Sequence, residues 1–496
     1  MKYPPSTYIV FLSALFFTGS LLYFFNNDFW QDEIYTITHF IYVPFKTVVT
    51  DYHTTNNHIL FSFLMKSYQE LFLPGGVDFI LYHPFLFRAI PVFISLFSAF
   101  LFYRLVVRYY GKAAALTGFS FWVTTICLVD FGAQIRGYSL NILICMIQYF
   151  NFLHVLRKET IKWRNIFVLA GLSFITLLVM PTNIYLLLSY MLLCGLLLLK
   201  PSLGKLLTAS HVRRANILKT GCAMVSGTIV CSLYYEWLLL RQPAIGYIND
   251  YTLFSLKNLR EVFVIVHQFS SNSIHIYLLL LIYAVIIVKK FMLKQYVFSN
   301  AFLPAFLFFT PFVFLFIHGG FVVDRTFLCL IPFFILFITF AVHDIADKLN
   351  YKYLQRIILV LNLGCMIFSF YELLSVSKNA NRNSLHFQTV TRHYYLVNYN
   401  AKQSVLLAKE LSSEKKLPLY LFDDFGGTGI DYYLRELHVP YENGNDSTNI
   451  KDNCIILSTN KKKMTADLQQ RNIRFTKLLD DSYQYNVFIC TPVIVN

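Results

Sequence analysis

The feature that most constrains this chain is a recurring run of about 20 apolar residues, broken each time by a short polar turn. A run of that length crosses the hydrocarbon core as a helix, which satisfies its own backbone polar groups where no water can. The runs fall at roughly residues 7–25, 85–107, 113–131, 137–156, 165–181, 184–199, 216–240, 275–290, 300–317, 326–345 and 356–376, about eleven spans. The first, beginning near Tyr8, is too long for a signal-peptide core and no small-residue cleavage site follows it, so it reads as a retained span. Only 14% of residues are charged, against about 25% in soluble domains. The segment His58 to Leu73 is also apolar, but Lys66 and Glu70 interrupt it. It reads as a helix lying along the interface or dipping back into the membrane.

Basic residues set the orientation. With the N-terminus inside, Arg104, Arg108 and Lys112 share one cytoplasmic turn, and Arg157, Lys158, Lys162 and Arg164 the next. Lys200, Lys205, Arg213, Arg214 and Lys219 follow, then Lys289, Lys290 and Lys294, then Lys348, Lys352 and Arg356. This is the positive-inside pattern at every turn. It accounts for the net charge of +15 without nucleic acid as a partner. An odd number of spans then places the chain from about residue 378 on the outer side, with the first outer loop at about 26–84.

The tail from Ala401 alternates helical and strand-like periods: AKQSVLLAKEL, LPLYLFD, TGIDYYLREL, NCIILS, MTADLQQR, YNVFICT. That pattern predicts a small α/β domain with a three- or four-stranded sheet, over 378–496, appended to a membrane domain over 1–377. Its GGTG, Gly426 to Gly429, reads as a plain connection rather than a phosphate loop. The sequon at Asn445 has meaning only in a eukaryotic secretory pathway. The cysteines lack CxxC spacing. Cys454 and Cys490 lie outside the spans and could pair, though their spacing does not require it.

Ionisable residues gather on the outer side. The first outer loop carries Asp32, Glu33, Asp51 and His53; VDFGAQIRGYSL brings Asp130 and Arg136; HGGFVVDRTF brings His318, Asp324 and Arg325. Arg241, Lys257, Arg260 and His267 lie between the seventh and eighth spans. Such groups at membrane depth are functional candidates. Physically they suit an anionic, lipid-linked substrate. Arg136, Arg325 and His58 would hold a phosphate, with bidentate contacts from arginine. A carboxylate opposite would take the proton of an attacking hydroxyl.

Four stretches in order, WQDEIYT, TTNNHILFSFLMKSY, FRAIPVFISLFSAFLFYRL and GAQIRGYSL, resemble the GT-C membrane glycosyltransferases. The likeness is to the branch of protein O-mannosyltransferases and bacterial aminoarabinose transferases, including the bacterial family 39-like transferases, and covers roughly residues 8–345. It implies a GT-C fold and an enzyme that moves a sugar from a polyprenyl-phosphate donor to a lipid, glycan or protein acceptor. That transfer would take place at the outer face of the cytoplasmic membrane. It implies Asp32 as the catalytic base and Glu33 as the adjacent family acid; neighbours on a helix point about 100° apart, so one of them faces the acceptor. His58 occupies the family's basic position, with Ile59 and Leu60 replacing its prolines, and a neutral imidazole brings no full charge at pH 7. Gln134 and Ile135 stand where relatives often carry an acid before the arginine, and Asp130 is the candidate second acid. Arg325 matches an arginine that opens a late span. A single displacement at the anomeric carbon implies inversion.

Plainer readings stand beside these. Asp32 and Glu33 could act only as helix-start charges, worth ~0.3–1 kcal/mol. Arg136 and Arg325 could be anchors snorkelling to headgroups, His58 an ordinary loop hydrogen-bonder, and Tyr138 a packing residue rather than a donor contact. Arg241, Lys257 and Arg260 read as headgroup contacts. No His/Cys/Asp cluster has metal-ligand spacing, so no cofactor is expected and a divalent ion has no support. Two other functions fit a polytopic chain. A lipid-linked glycan polymerase or ligase usually has its large outer loop between late spans. A transporter or flippase shows repeated halves and mid-membrane polar groups. The long early loop and the gathering of polar residues at one face favour the transferase.

Overall fold

The computed structural model describes residues 5–23, 28–29, 31–52, 57–73, 83–200, 213–241, 278, 280–285, 300–318, 324–348, 353–354, 356–364, 367, 401–422, 430–443, 453–458, 461–479 and 486–491. Two compact units divide the chain. One comprises Met1–Leu22, Val43–Ser67 and Ile90–Ser369; the other comprises Tyr23–Tyr42, Tyr68–Ala89 and Phe370–Asn496.

The first unit is helical. Its helices stand where the apolar runs predict them, from Pro5–Tyr23 through Arg214–Arg241 and again at Phe302–His318 and Ile331–Lys348. The run at 113–131 is split at Thr125 into Lys112–Thr124 and Ile126–Asp130. The expected spans at 275–290 and 356–376 lie largely outside the described residues. Among the described residues, five helices are long and apolar enough to cross a membrane: Pro84–Tyr110, Tyr138–Leu156, Pro181–Leu199, Arg214–Arg241 and Arg325–Ala346. A chain built this way is a multi-pass membrane protein. The interrupted segment after His58 forms the helix Ile59–Phe72, burying Phe61, Met65 and Lys66 while Phe63 and Leu64 stay exposed.

Two devices hold the bundle where apolar contact alone would not select a partner. The helices Trp163–Val179 and Arg214–Arg241 approach so closely at Gly227 that a Cβ there would sit 2.0 Å from the Ala170 carbonyl oxygen. Side-chain hydrogen bonds do the rest. Thr176 donates to Gln148 Oε1 (2.8 Å), and Gln148 Nε2 donates to Ser173 (3.2 Å). Asn183 Nδ2 reaches both Asn141 Oδ1 (2.6 Å) and the Thr176 carbonyl (2.7 Å). Together these fix residues 176–183, where the chain turns from one helix into the next.

The second unit carries a five-stranded sheet in the order β2 (Glu442–Asn443), β1 (Leu419–Phe422), β3 (Cys454–Ser458), β5 (Asn486–Thr491), β4 (Arg474–Lys477). The expectation of three or four strands is therefore corrected. The strand-like runs became β1, β3 and β5, and two polar strands joined the edges. β1 pairs in parallel with β2 and β3, while β5 runs antiparallel to β3 and β4. Every residue of β3 is buried, as expected of a central strand covered on both faces. The helix Ala401–Lys415 lies against β1, β3 and β5, and Met464 and Leu468 of the helix Lys461–Gln470 pack on Tyr420, Ile456 and Phe488. Cys454 and Cys490 are direct cross-strand partners in this core. The helices Ala401–Lys415, Ile430–Glu436 and Lys461–Gln470 are each followed by a left-handed residue: Lys416 (φ 54°), His438 (φ 50°) and Asn472 (φ 56°). The next residue's N–H then reaches back to Ser412, Leu434 and Leu468 respectively, closing a Schellman turn. The GGTG turn and the Asn445 sequon lie outside the described residues.

Candidate active site

Several of the residues singled out in the sequence gather into polar clusters, one in each unit.

In the second unit, Asp32 and Glu33 open the six-residue helix Gln31–Thr36, which continues as a π-helical turn over Ile37–Ile41. Their environments diverge at once. Glu33 is fully buried and takes a bidentate bond from Arg88, Nε to Oε1 at 3.1 Å and Nη2 to Oε2 at 2.7 Å, with both side chains wholly shielded. The same Nη2 donates to the Asp28 carbonyl at 3.0 Å, and the guanidinium lies 5.2 Å from the Phe29 ring centroid. Asp32, one residue earlier on the helix, is half-buried. The approach to this helix is also held. Asp28 Oδ2 accepts from the backbone N–H of Lys402 (2.8 Å) and Gln403 (3.3 Å), and Phe29 N–H donates to the Tyr433 hydroxyl (2.8 Å). Burial raises the Asp28 pKa above the ordinary carboxylate range; the Gln403 and Lys402 amides, the Lys402 charge and Arg88 oppose that rise.

In the first unit, His58 and Arg136 are buried together, 4% and 2% exposed. The His58 ring meets Tyr138 edge-on at 5.5 Å, and the Arg136 guanidinium lies 5.6 Å from the same Tyr138 ring. This approach depends on Gly137, where a Cβ would stand 2.8 Å from His58 Cβ. His58 Nδ1–H donates to the Val179 carbonyl (3.3 Å), so its Nε2 carries the lone pair, and that atom is buried with no hydrogen-bond partner among the described residues. Burial holds the imidazole well below its usual pKa; Arg136 and Arg325 push the same way, while the Val179 bond opposes them. Arg325 lies half-buried in the 3₁₀ turn Asp324–Leu330. Asp130 is buried, with Gln134 Nε2 at 3.4 Å from its Oδ2. His318 at the end of Phe302–His318 bonds the Tyr185 hydroxyl (2.9 Å). Arg241 stacks on Trp237 at 4.3 Å, an arrangement suited to an interface.

No family model matches this chain, and no curated protein matches it. Solved structures do, and two of them match over nearly the whole length. The first is ArnT from Cupriavidus metallidurans in the apo state, with a TM-score of 0.53 and 10% identity, covering 97% of both chains. The second is ArnT from the same organism bound to undecaprenyl phosphate, with a TM-score of 0.51 and 11% identity, covering 98% of both chains. The fold is ArnT-like. This is the kind of fold expected from the resemblance that the sequence motifs carry. Identity this low carries the backbone arrangement, and chemistry rests on this chain's own side chains.

Within the ArnT-like fold the first unit gathers His58, Arg136 and Tyr138, with Arg325 near enough to act on His58 electrostatically. The second unit holds Asp32 and Glu33. Three residues of this second cluster had no assigned role in the sequence: Arg88, Asp28 and Tyr433. For Arg88 a signal existed, since a guanidinium opening an apolar span needs a partner. For the other two there was none, because their contacts join positions 374 and 404 residues apart. Lys257, Arg260 and His267 lie outside the described residues. Among the described residues no group of three or more His, Cys, Asp or Glu side chains could hold a metal ion.

Proposed function

We propose that this protein is a membrane glycosyltransferase that moves a sugar from a polyprenyl-phosphate carrier to an acceptor hydroxyl or amine at the outer face of the cytoplasmic membrane. The observation that carries this reading is the basic cluster in a membrane bundle where buried His58 and Arg136 lie within electrostatic reach of half-buried Arg325. Guanidinium groups offer the planar, bidentate donors that suit a phosphate. The ArnT-like fold adds support, since one ArnT structure holds undecaprenyl phosphate.

In this reading Arg136 and Arg325 bind the carrier phosphate and stabilise the charge that grows on it as the glycosidic C–O bond breaks. His58 presents a lone pair at Nε2 and would repel an anion unless it gained a proton, so phosphate binding is coupled to proton uptake there. Asp32 removes the proton from the acceptor as its oxygen or nitrogen attacks the anomeric carbon from the opposite side, which inverts configuration. Asp130 and Tyr138 line the donor side. Glu33, committed to Arg88, supports the helix that bears Asp32.

Native mass spectrometry of the detergent-purified protein tests this. We expect a bound lipid with the mass of a polyprenyl phosphate, with or without one sugar, lost in Arg136→Ala and in Arg325→Ala. Asp32→Asn should keep the lipid and abolish transfer. A diphosphate-linked oligosaccharide in its place would assign the protein to glycan polymerisation or ligation.

A further inference from the structure

The helix that carries Asp32 has six residues and runs on into a five-residue π-helical turn, still short of the length of about 12–15 at which a helix persists unaided. Its geometry must therefore come from contacts, and within the second unit these lie on both sides of Asp32. Behind it, Glu33 is fixed by Arg88. Ahead of it, Asp28 sits at the start of the helix Ala401–Lys415, where its carboxylate accepts the amides of Lys402 and Gln403. These are the amides an N-cap side chain normally serves, and here the capping residue comes from the other end of the chain. The next residue, Phe29, donates its amide to the hydroxyl of Tyr433, a fully buried side chain on the helix Ile430–Glu436. Arg88 ties the two halves together by bonding the Asp28 carbonyl and the Glu33 carboxylate with one nitrogen.

We propose that Tyr433 and Asp28 are positioning residues for the reaction, through which the C-terminal α/β segment aims the Asp32 carboxylate. The proposal rests on Asp32 being the base. It gives the segment a defined task. The Tyr433 hydroxyl sets where the chain enters the catalytic helix, and Asp28 locks that entry to the start of Ala401–Lys415. The groups facing this clamp are Arg88, Glu33 and Lys402.

The test uses full-length protein in lipid nanodiscs, with undecaprenyl phosphate bearing a single hexose, pentose or aminopentose as donor panel and a membrane lipid extract as acceptor. Released undecaprenyl phosphate is followed. Tyr433→Phe removes one oxygen and keeps the ring; Asp28→Asn keeps an acceptor for the two amides; Asp28→Ala removes it. We expect Tyr433→Phe and Asp28→Ala to lower kcat about tenfold with donor KM changed less than twofold, and to move the acid limb of the kcat–pH profile. Asp28→Asn should recover most of the rate. A role confined to folding would lower the active fraction and leave the acid limb in place, which overturns the proposal. Wild-type kcat in Tyr433→Phe and Asp28→Ala, with Asp32→Asn inactive, overturns it while sparing the base assignment. Wild-type turnover in Asp32→Asn, or no turnover of any donor in the panel by the wild type, removes the base and the positioning role together.

Discussion

At the scale of single residues, the deciding contrast is between two adjacent carboxylates. Asp32 and Glu33 carry the same functional group side by side in the sequence, yet Glu33 is wholly buried in a bidentate pair with Arg88 while Asp32 remains half-buried. A buried pair of this kind is worth little as a net contribution, because desolvation consumes most of the attraction. Breaking it is another matter, since the survivor is left charged and unsolvated. Arg88→Met, close in length and without charge, should therefore destabilise the protein by about 3–5 kcal/mol, and Glu33→Met by a similar amount. The double variant should recover much of either loss, since neither charge is then stranded. The thermal midpoint of the four proteins in one detergent checks this. Losses that simply add would mean that the two side chains do not act as a pair.

At the scale of elements, the bundle depends on places where backbones nearly touch. Gly227 is the clearest, because the nearest obstacle to a side chain there is the Ala170 carbonyl, which cannot rotate away. Gly227→Ala should force Trp163–Val179 and Arg214–Arg241 apart and cost about 1–3 kcal/mol, read as a lower thermal midpoint. Gly221→Ala on the same helix serves as the control, because its Cβ would meet only Cys194 at 3.5 Å, an ordinary contact. Equal losses in the two variants would show that helix propensity rather than close approach governs the site. The sheet shows what pattern can and cannot disclose. β1, β3 and β5 announce themselves as apolar runs because they fill the middle of the sheet. β4, RFTK, is mostly exposed at the edge, and β2 is two residues long. An edge strand needs only backbone groups to pair, so its sequence carries no apolar signature. The helix boundaries were legible for the opposite reason, since the hydrocarbon thickness dictates both their length and their composition.

At the scale of the whole molecule, the membrane class was written in the spacing of the apolar runs, and the motif order implied the ArnT-like arrangement. Which polar residues meet was legible only for those sharing a short motif, such as Arg136 and Tyr138. The contacts of Phe29 with Tyr433 and of Asp28 with Lys402 are properties of the folded chain and leave no local trace. A ligand that binds the folded protein alone tests the arrangement as a whole, because its binding free energy adds to the stability of the entire bundle. At a concentration of one hundred times Kd that addition is about 2.7 kcal/mol. Undecaprenyl phosphate should raise the thermal midpoint, whereas undecaprenol, with the same tail and no charge, should not. The pH dependence carries the finer information. In the free protein His58 is neutral at pH 7, because burial and the two arginines hold its pKa below the usual 6.5. An adjacent phosphate favours the imidazolium and raises that pKa, so the bound state holds more protons than the free one. Affinity contributed by His58 must then grow as pH falls towards the free-state pKa and disappear as pH rises above the bound-state value. The midpoint shift should accordingly be larger at pH 6.5 than at pH 8 in the wild type. In His58→Gln that increase should be gone, leaving only the titration of the phosphate itself, which acts in the opposite direction as the dianion takes up a proton. A shift with the same pH dependence in both proteins would place His58 outside the phosphate contact, while Arg136 and Arg325 could still bind it unaided.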